Sequence, residues 1–201
     1  MGESAILNGL MSNRHDIITL PHPDLRKKSV RVHVITDETK QLIKDMRDAA
    51  LDWEDSRPHE IAVALAAVQI DRLERVVVVR EDFDDKENRS FVVLINPEVI
   101  KSEGEIVTEH EGCLSVRDVY GAVPRHSKIR VRALDESGRE VRIKAEGFLA
   151  RVLQHEIDHT NGICFVDHIA EKHDAFFTLT EKGDLEPAKY EDVLTSGILR
   201  V

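Results

Sequence analysis

The stretch Gln154–Gly162, reading QHEIDHTNG, constrains this 201-residue chain more than any other. On a helix, His155 and His159 stand four apart, so both imidazoles leave one face about a turn from each other. That spacing lets two neutral rings grip one metal ion. Glu156, beside the first ring, can then reach a water on the ion without itself being a ligand. Two donors do not complete a site, so its character depends on a third.

The metzincin pattern continues to a glycine three residues after the second histidine and to a third histidine three residues further on. Gly162 stands where that glycine would, but the last position is Phe165, which cannot bind metal. Downstream glutamates exist at Glu171 and Glu181, outside any recognisable helical pattern. Upstream, Glu111-Gly112-Cys113-Leu114-Ser115 sets a cysteine between a flexible residue and small or polar neighbours, a thiolate exposed on a bend. Two histidines and one cysteine would leave one tetrahedral position for water, which is the catalytic arrangement rather than the structural one. Such a donor set suits Fe²⁺, Ni²⁺, Co²⁺ or Zn²⁺.

The strings EGCLS at 111–115 and QHEIDH at 154–159 resemble the hallmarks of the peptide deformylases, and the resemblance runs from about Leu20 to about Ile169. It implies an α+β fold with antiparallel sheets around a central metal-binding helix. It also implies hydrolysis of the formyl group from N-formylmethionyl nascent peptides, releasing formate, with Fe²⁺ as the ion in the cell and contact with the ribosome. Cys113, His155 and His159 would be the metal ligands and Glu156 the general base. The backbone N–H of Leu114 and the side-chain amide of Gln69 would face the developing oxyanion.

A pocket for the methionine side chain would be walled by Val63, Phe148, Val152 and the aliphatic stem of Arg151, whose head would pair with an acid such as Glu109. Ala64, Glu111 and Gly112 complete the expected substrate cleft, with Glu111 as a buttress. Asp158 points a quarter-turn away from the ligands and is expected to pair with Arg125. One departure from the family pattern bears on fit. Ala62 and Ala64 stand where glycines are expected in a G-x-G-x-A-A-x-Q string, after a connection lengthened around residues 55–60. Added methyls there could narrow the cleft.

Composition sets outer bounds. At 41% hydrophobic and 33% charged residues, the chain reads as one domain over 1–201, with 1–16 and 184–201 as peripheral tails. No apolar run approaches the ~18 residues that span a bilayer. A net charge of −10 argues against nucleic-acid binding. The N-terminus carries no signal-type core, which favours the cytoplasm. Cys164, between Ile163 and Phe165, reads as a buried small hydrophobe rather than a disulfide partner.

Along the chain, Thr36 or Asp37 caps a helix with apolar positions Leu42, Ile43, Met46, Ala49, Ala50 and Trp53. Val76–Val79 and Phe91–Ile95 read as strands, the second ended by Asn96-Pro97. Ile129–Leu134 and Val141–Ala145 form a hairpin, and Gly147 opens the metal helix. Three other functions stay open on this reading: a deformylase for another formylated amine, a zincin protease, and a metal-binding homologue without catalysis. Retention of Glu156 speaks against the last, since a structural metal site needs no base.

Overall fold

A computed structural model describes residues 17–57, 60–180 and 183–200. The expected tail at 1–16, the breaker pair Pro58-His59 and Glu181 lie outside the described residues.

The first helix, α1 (Asp37–Asp55), starts at Thr36, whose hydroxyl and that of Thr39 cap each other's backbone N–H groups. Asp37 and Glu38 in its first turn oppose the helix dipole favourably. Leu42, Ile43, Met46, Ala49 and Ala50 are fully buried on one face, while Lys44–Asp48 and Gln41–Asp45 pair on the wet one.

Strands β1 (Ala64–Ala66), β2 (Val76–Arg80), β3 (Phe91–Cys113), β4 (Val116–Leu134), β5 (Glu140–Glu146), β6 (Phe176–Leu179) and β7 (Leu185–Pro187) join one antiparallel sheet. Its order is β1-β2-β3-β4-β6-β7, with β5 pairing Lys128–Leu134 of β4 on the edge that β6 joins at Val119–Gly121. β2 shows why a run of valines suits this place. Val76 and Val78 face α1, whereas Val77 and Val79 face the opposite core, so period-two alternation buries both sides.

The second core belongs to α2 (Gly147–Thr160), the helix carrying the paired histidines, which packs against β1, β3, β4 and β5. Gly147 passes directly from β5 into the helix at φ 57°, a conformation open to glycine. At the far end Gly162 sits at φ 73°, where a Cβ would stand 2.5 Å from the carbonyl oxygen of Arg26.

Three expectations are corrected. Asn96-Pro97 does not end the second strand, which continues to Cys113. Asn96 turns to φ 53° and its amide bonds both backbone groups of Val32, while Pro97 falls within a register shift between Ile95 and Glu98. The missing N–H of proline is therefore not demanded there, and the ladder resumes. The partner strand likewise begins at Val116, well before Ile129.

Residues from 184 on are not peripheral either. β7 pairs with β6, which joins β4 at Val119–Gly121, and α3 (Tyr190–Thr195) and the residues after it bury Val193, Ile198 and Leu199 in the main core. Arg26 donates to the Ile198 carbonyl at 2.7 Å. Alternating charge hid these few apolar anchors in the sequence. No described helix is long and apolar enough to cross a membrane.

Candidate metal centre and cleft

The long β3–β4 hairpin ends in a two-residue turn, Leu114-Ser115, with Cys113 as the last residue of the outgoing strand. This tip meets the middle of α2. Cys113 Sγ stands 3.2 Å from His159 Nε2, and the donor atoms of Cys113, His155 and His159 all lie within 4.8 Å of one another. The two rings sit edge to face with centroids 4.9 Å apart. A soft thiolate and two imidazoles gathered this closely fit a tetrahedral divalent ion with one position left for a non-protein ligand.

Glu156 faces the same space. Its Oε2 is buried and has no hydrogen-bond partner among the described residues. A carboxylate left so is costly unless something at the site bonds to it, so the orphaned oxygen agrees with a centre that holds an ion and its solvent ligand.

Gln69 reaches the tip from a 3₁₀ turn, Ala67–Ile70, that follows β1. Its Oε1 accepts from the Ala66 N–H at 2.8 Å, which aims Nε2 at Ser115 Oγ (3.2 Å) and Cys113 Sγ (3.7 Å). Leu114 lies in the turn, so the ladder does not consume its N–H.

Around the ligands runs a buried ionic network. Glu111 Oε2 accepts from His155 Nδ1 at 2.9 Å, which turns Nε2 of that ring toward Cys113. Arg125 grips both oxygens of Glu111, at 2.9 and 3.1 Å, and also bonds Asp158, as the sequence suggested. Asp158 in turn takes His168 Nε2 at 2.7 Å. Arg151 donates to Glu109, the expected partner, and to Glu111.

Burial and pairing compete here, with different winners. Burial would push Glu111 up, but bonds from His155 and Arg125 hold it well below the usual carboxylate range. Asp158 is held low against burial by His168 and Arg125. Glu156 lacks such partners, and burial raises it to about 7. Burial pulls His159 well below its ordinary value, which keeps the ring neutral and able to ligate. It also pulls on His155, where Cys113 and Glu111 prevail and raise it. Burial pushes the Cys164 thiol up to about 12, as suits an inert core cysteine.

A cleft of about 980 Å³ opens over the tip and is lined by every expected site residue except His159, which is fully buried beneath it. Val63, Ala64, Phe148 and Val152 line it beside Glu111, Gly112 and Arg151. Neither Ala62 nor Ala64 takes a positive φ, so their methyls cause no backbone strain; both line the cleft and are buried in the core behind it.

Sequence reasoning missed several lining residues. Trp53 comes from the last turn of α1 and Arg57 and Glu60 from the lengthened connection, with the Arg57 guanidinium 4.5 Å over the Trp53 ring. Tyr120 sits over Gly112, where a Cβ would meet its ring at 2.6 Å. Leu179 arrives from the C-terminal strands. Ser115, fully buried below the cleft and bonded to Gln69, is the one missed contact that the EGCLS string signals.

Comparison with known proteins agrees with this geometry. The family profile for Polypeptide deformylase matches residues 14–175. The chain is 44% identical over 159 residues to the peptide deformylase of Thermomicrobium roseum, covering 78% of this chain and 86% of that one. With the enzyme of Halothermothrix orenii, identity is 46% over 147 residues, covering 73% and 88%. A crystal structure of a peptide deformylase from Legionella pneumophila superposes with a TM-score of 0.66 at 41% identity, over 76% of this chain and 83% of that one. A cysteine-tipped hairpin meeting a two-histidine helix, together with these matches, places the chain in the peptide deformylase family.

Proposed function

We propose that this protein is the metallohydrolase that removes the formyl group from N-formylmethionyl nascent polypeptides in the cytoplasm, at the ribosome, releasing formate. The observation that carries the reading is Glu156: a buried carboxylate with a free oxygen beside a Cys-His-His donor set, at the floor of an open cleft. A purely structural metal site has no use for such a group.

Cys113, His155 and His159 would hold the ion, with Fe²⁺ as the native metal and Zn²⁺, Ni²⁺ or Co²⁺ as substitutes. When bound, a divalent ion acidifies water and polarises a carbonyl oxygen. The protein supplies the rest. Glu156, buried with a free oxygen beside the donor set, accepts a proton from the attacking water and returns it to the departing amine. Gln69 Nε2, locked by its bond to the Ala66 N–H, and the N–H of Leu114 face the oxygen that gains charge. Val63, Phe148, Val152 and the Arg151 stem receive the methionine side chain, and Gly112 borders the peptide backbone.

Glu156→Ala tests the reading. Metal content should stay at one ion per chain while formate release from formyl-Met-Ala-Ser falls by about 10²–10⁴-fold. Turnover surviving the change would remove Glu156 from its role. Casein cleavage by the wild-type protein would favour a protease instead.

A further inference from the structure

We infer that Arg151 is a positioning residue for the Cys113–His155–His159 site: it locks α2 to the long hairpin and, through Glu111, sets how the His155 ring faces Cys113. The inference rests on the metal-site reading above and gives Arg151 a role beyond that of a pocket wall.

The ligands come from two elements that the chain does not hold together locally. Cys113 sits at the end of a long hairpin, across a register shift between Glu111 and Cys113, and the histidines sit on a helix that follows β5. Something must fix the one against the other. Arg151 stands one turn before His155 and is 5% exposed. Its Nε donates to Glu109 (3.0 Å), Nη1 to Glu111 Oε1 (2.7 Å) and the Val123 carbonyl (2.8 Å), and Nη2 to the Val107 carbonyl (2.8 Å). Every nitrogen of the fork is used, and its acceptors lie on both strands of the hairpin. Only a planar guanidinium spans such a set.

Glu111 is where this strap meets the metal site. One of its oxygens is held by two guanidinia, Arg151 at 2.7 Å and Arg125 at 2.9 Å. The other then faces His155 Nδ1 at 2.9 Å. Without Arg151, the first oxygen keeps a single donor and β3 loses its bonds to α2 at Val107 and Glu109, six and four residues before Cys113. Gln154 also ties α2 to β4, through the backbone of His126, but it touches neither Glu111 nor a ligand ring. The other tie that reaches Glu111 runs from Asp158 through Arg125, and it leaves Val107 and Glu109 of β3 without a bond to α2.

The test uses Co²⁺ bound to the full chain, read by ligand-field and thiolate charge-transfer absorption and by chelator competition. Arg151→Met keeps an apolar stem against the cleft and should weaken Co²⁺ binding about 10–100-fold while shifting the bands. Arg151→Lys keeps the charge without the fork and should fall between. Leu42→Ala, on the buried face of α1 away from the cleft, should lower Tm and leave both readouts alone. Wild-type affinity and spectrum in Arg151→Met, or equal changes in Leu42→Ala, would overturn the inference. If the methionine variant fails to fold, Arg151→Lys decides, and unchanged readouts there overturn it equally. Wild-type protein that binds no Co²⁺ would instead sink the metal-site reading itself.

Discussion

Arg80→Met should loosen one wall of the cleft without touching the metal site. Arg80 and Glu54 form an ion pair with side chains 0% and 1% exposed, joined at 2.9 and 3.3 Å. The pair also holds backbone. Glu54 Oε2 accepts from the Ala62 N–H at 2.9 Å, and the Arg80 N–H donates to the Val63 carbonyl at 2.8 Å. Arg80 further donates to the Lys86 carbonyl, and Lys86 Nζ clasps the carbonyls of Arg57 and Glu60. Together these contacts hold the lengthened connection and the strand of Val63 and Ala64 in place.

Removing the arginine strands a buried carboxylate with one amide for a partner, at about 3–5 kcal/mol. For a chain of this length that corresponds to a fall in Tm of roughly 6–20 °C. Replacing both partners, Glu54→Leu with Arg80→Met, leaves chiefly the unsatisfied Ala62 N–H, about 1–3 kcal/mol, far below the sum of the single changes. Urea melts of the four proteins give the cycle, and steady-state kinetics should show KM raised with kcat near wild type. A double variant as unstable as the two singles added together would refute the buried-pair argument. A collapse of kcat in Arg80→Met would refute its separation from the metal site.

Other predictions follow from the same geometry. In metal-free protein, Glu156 is raised from 4.5 to about 7. Its contribution to stability is therefore complete below about pH 4.5 and is lost as pH rises to about 7, a span of roughly 3 kcal/mol. Glu156→Gln should remove that slope, and urea midpoints with the same pH dependence as wild type would contradict it. Ala64→Gly, at a position needing no positive φ, should lower stability by about 0.5–1 kcal/mol yet lower KM for peptides with a bulky second residue. An unchanged KM would show that the methyl does not narrow the cleft. Gly112→Ala drives a Cβ to 2.6 Å from the Tyr120 ring beside Cys113, and kcat/KM should drop about 10–100-fold. Wild-type kinetics there would mean that Tyr120 yields freely.

Much of the site was legible because its chemistry is local. Spacing on a helix places His155, Glu156 and His159, and the EGCLS string names the thiol that the fold brings within 4.8 Å of both rings' donor atoms. The Arg125–Asp158 pair and the burial of Cys164 followed from similar reasoning. The fold was legible where periodicity is strong, as in α1 and β2. It was misread at Asn96-Pro97, where a side-chain bond to Val32 lets the strand continue, and after residue 184, where Val193, Ile198 and Leu199 are too few to announce a buried segment.

The order of residues by itself determines which donors this protein owns and that two of them share a helical face, since both are properties of a few neighbouring residues. Tertiary structure alone decides that Gln69 meets Ser115 across 46 positions and that Arg151 meets Glu111 across 40. It also decides that Glu156 is left with a free oxygen while Glu111 collects two arginines and a histidine. Partner choice and burial set those carboxylates on opposite sides of their ordinary value, and neither exists until distant strands have closed around the helix.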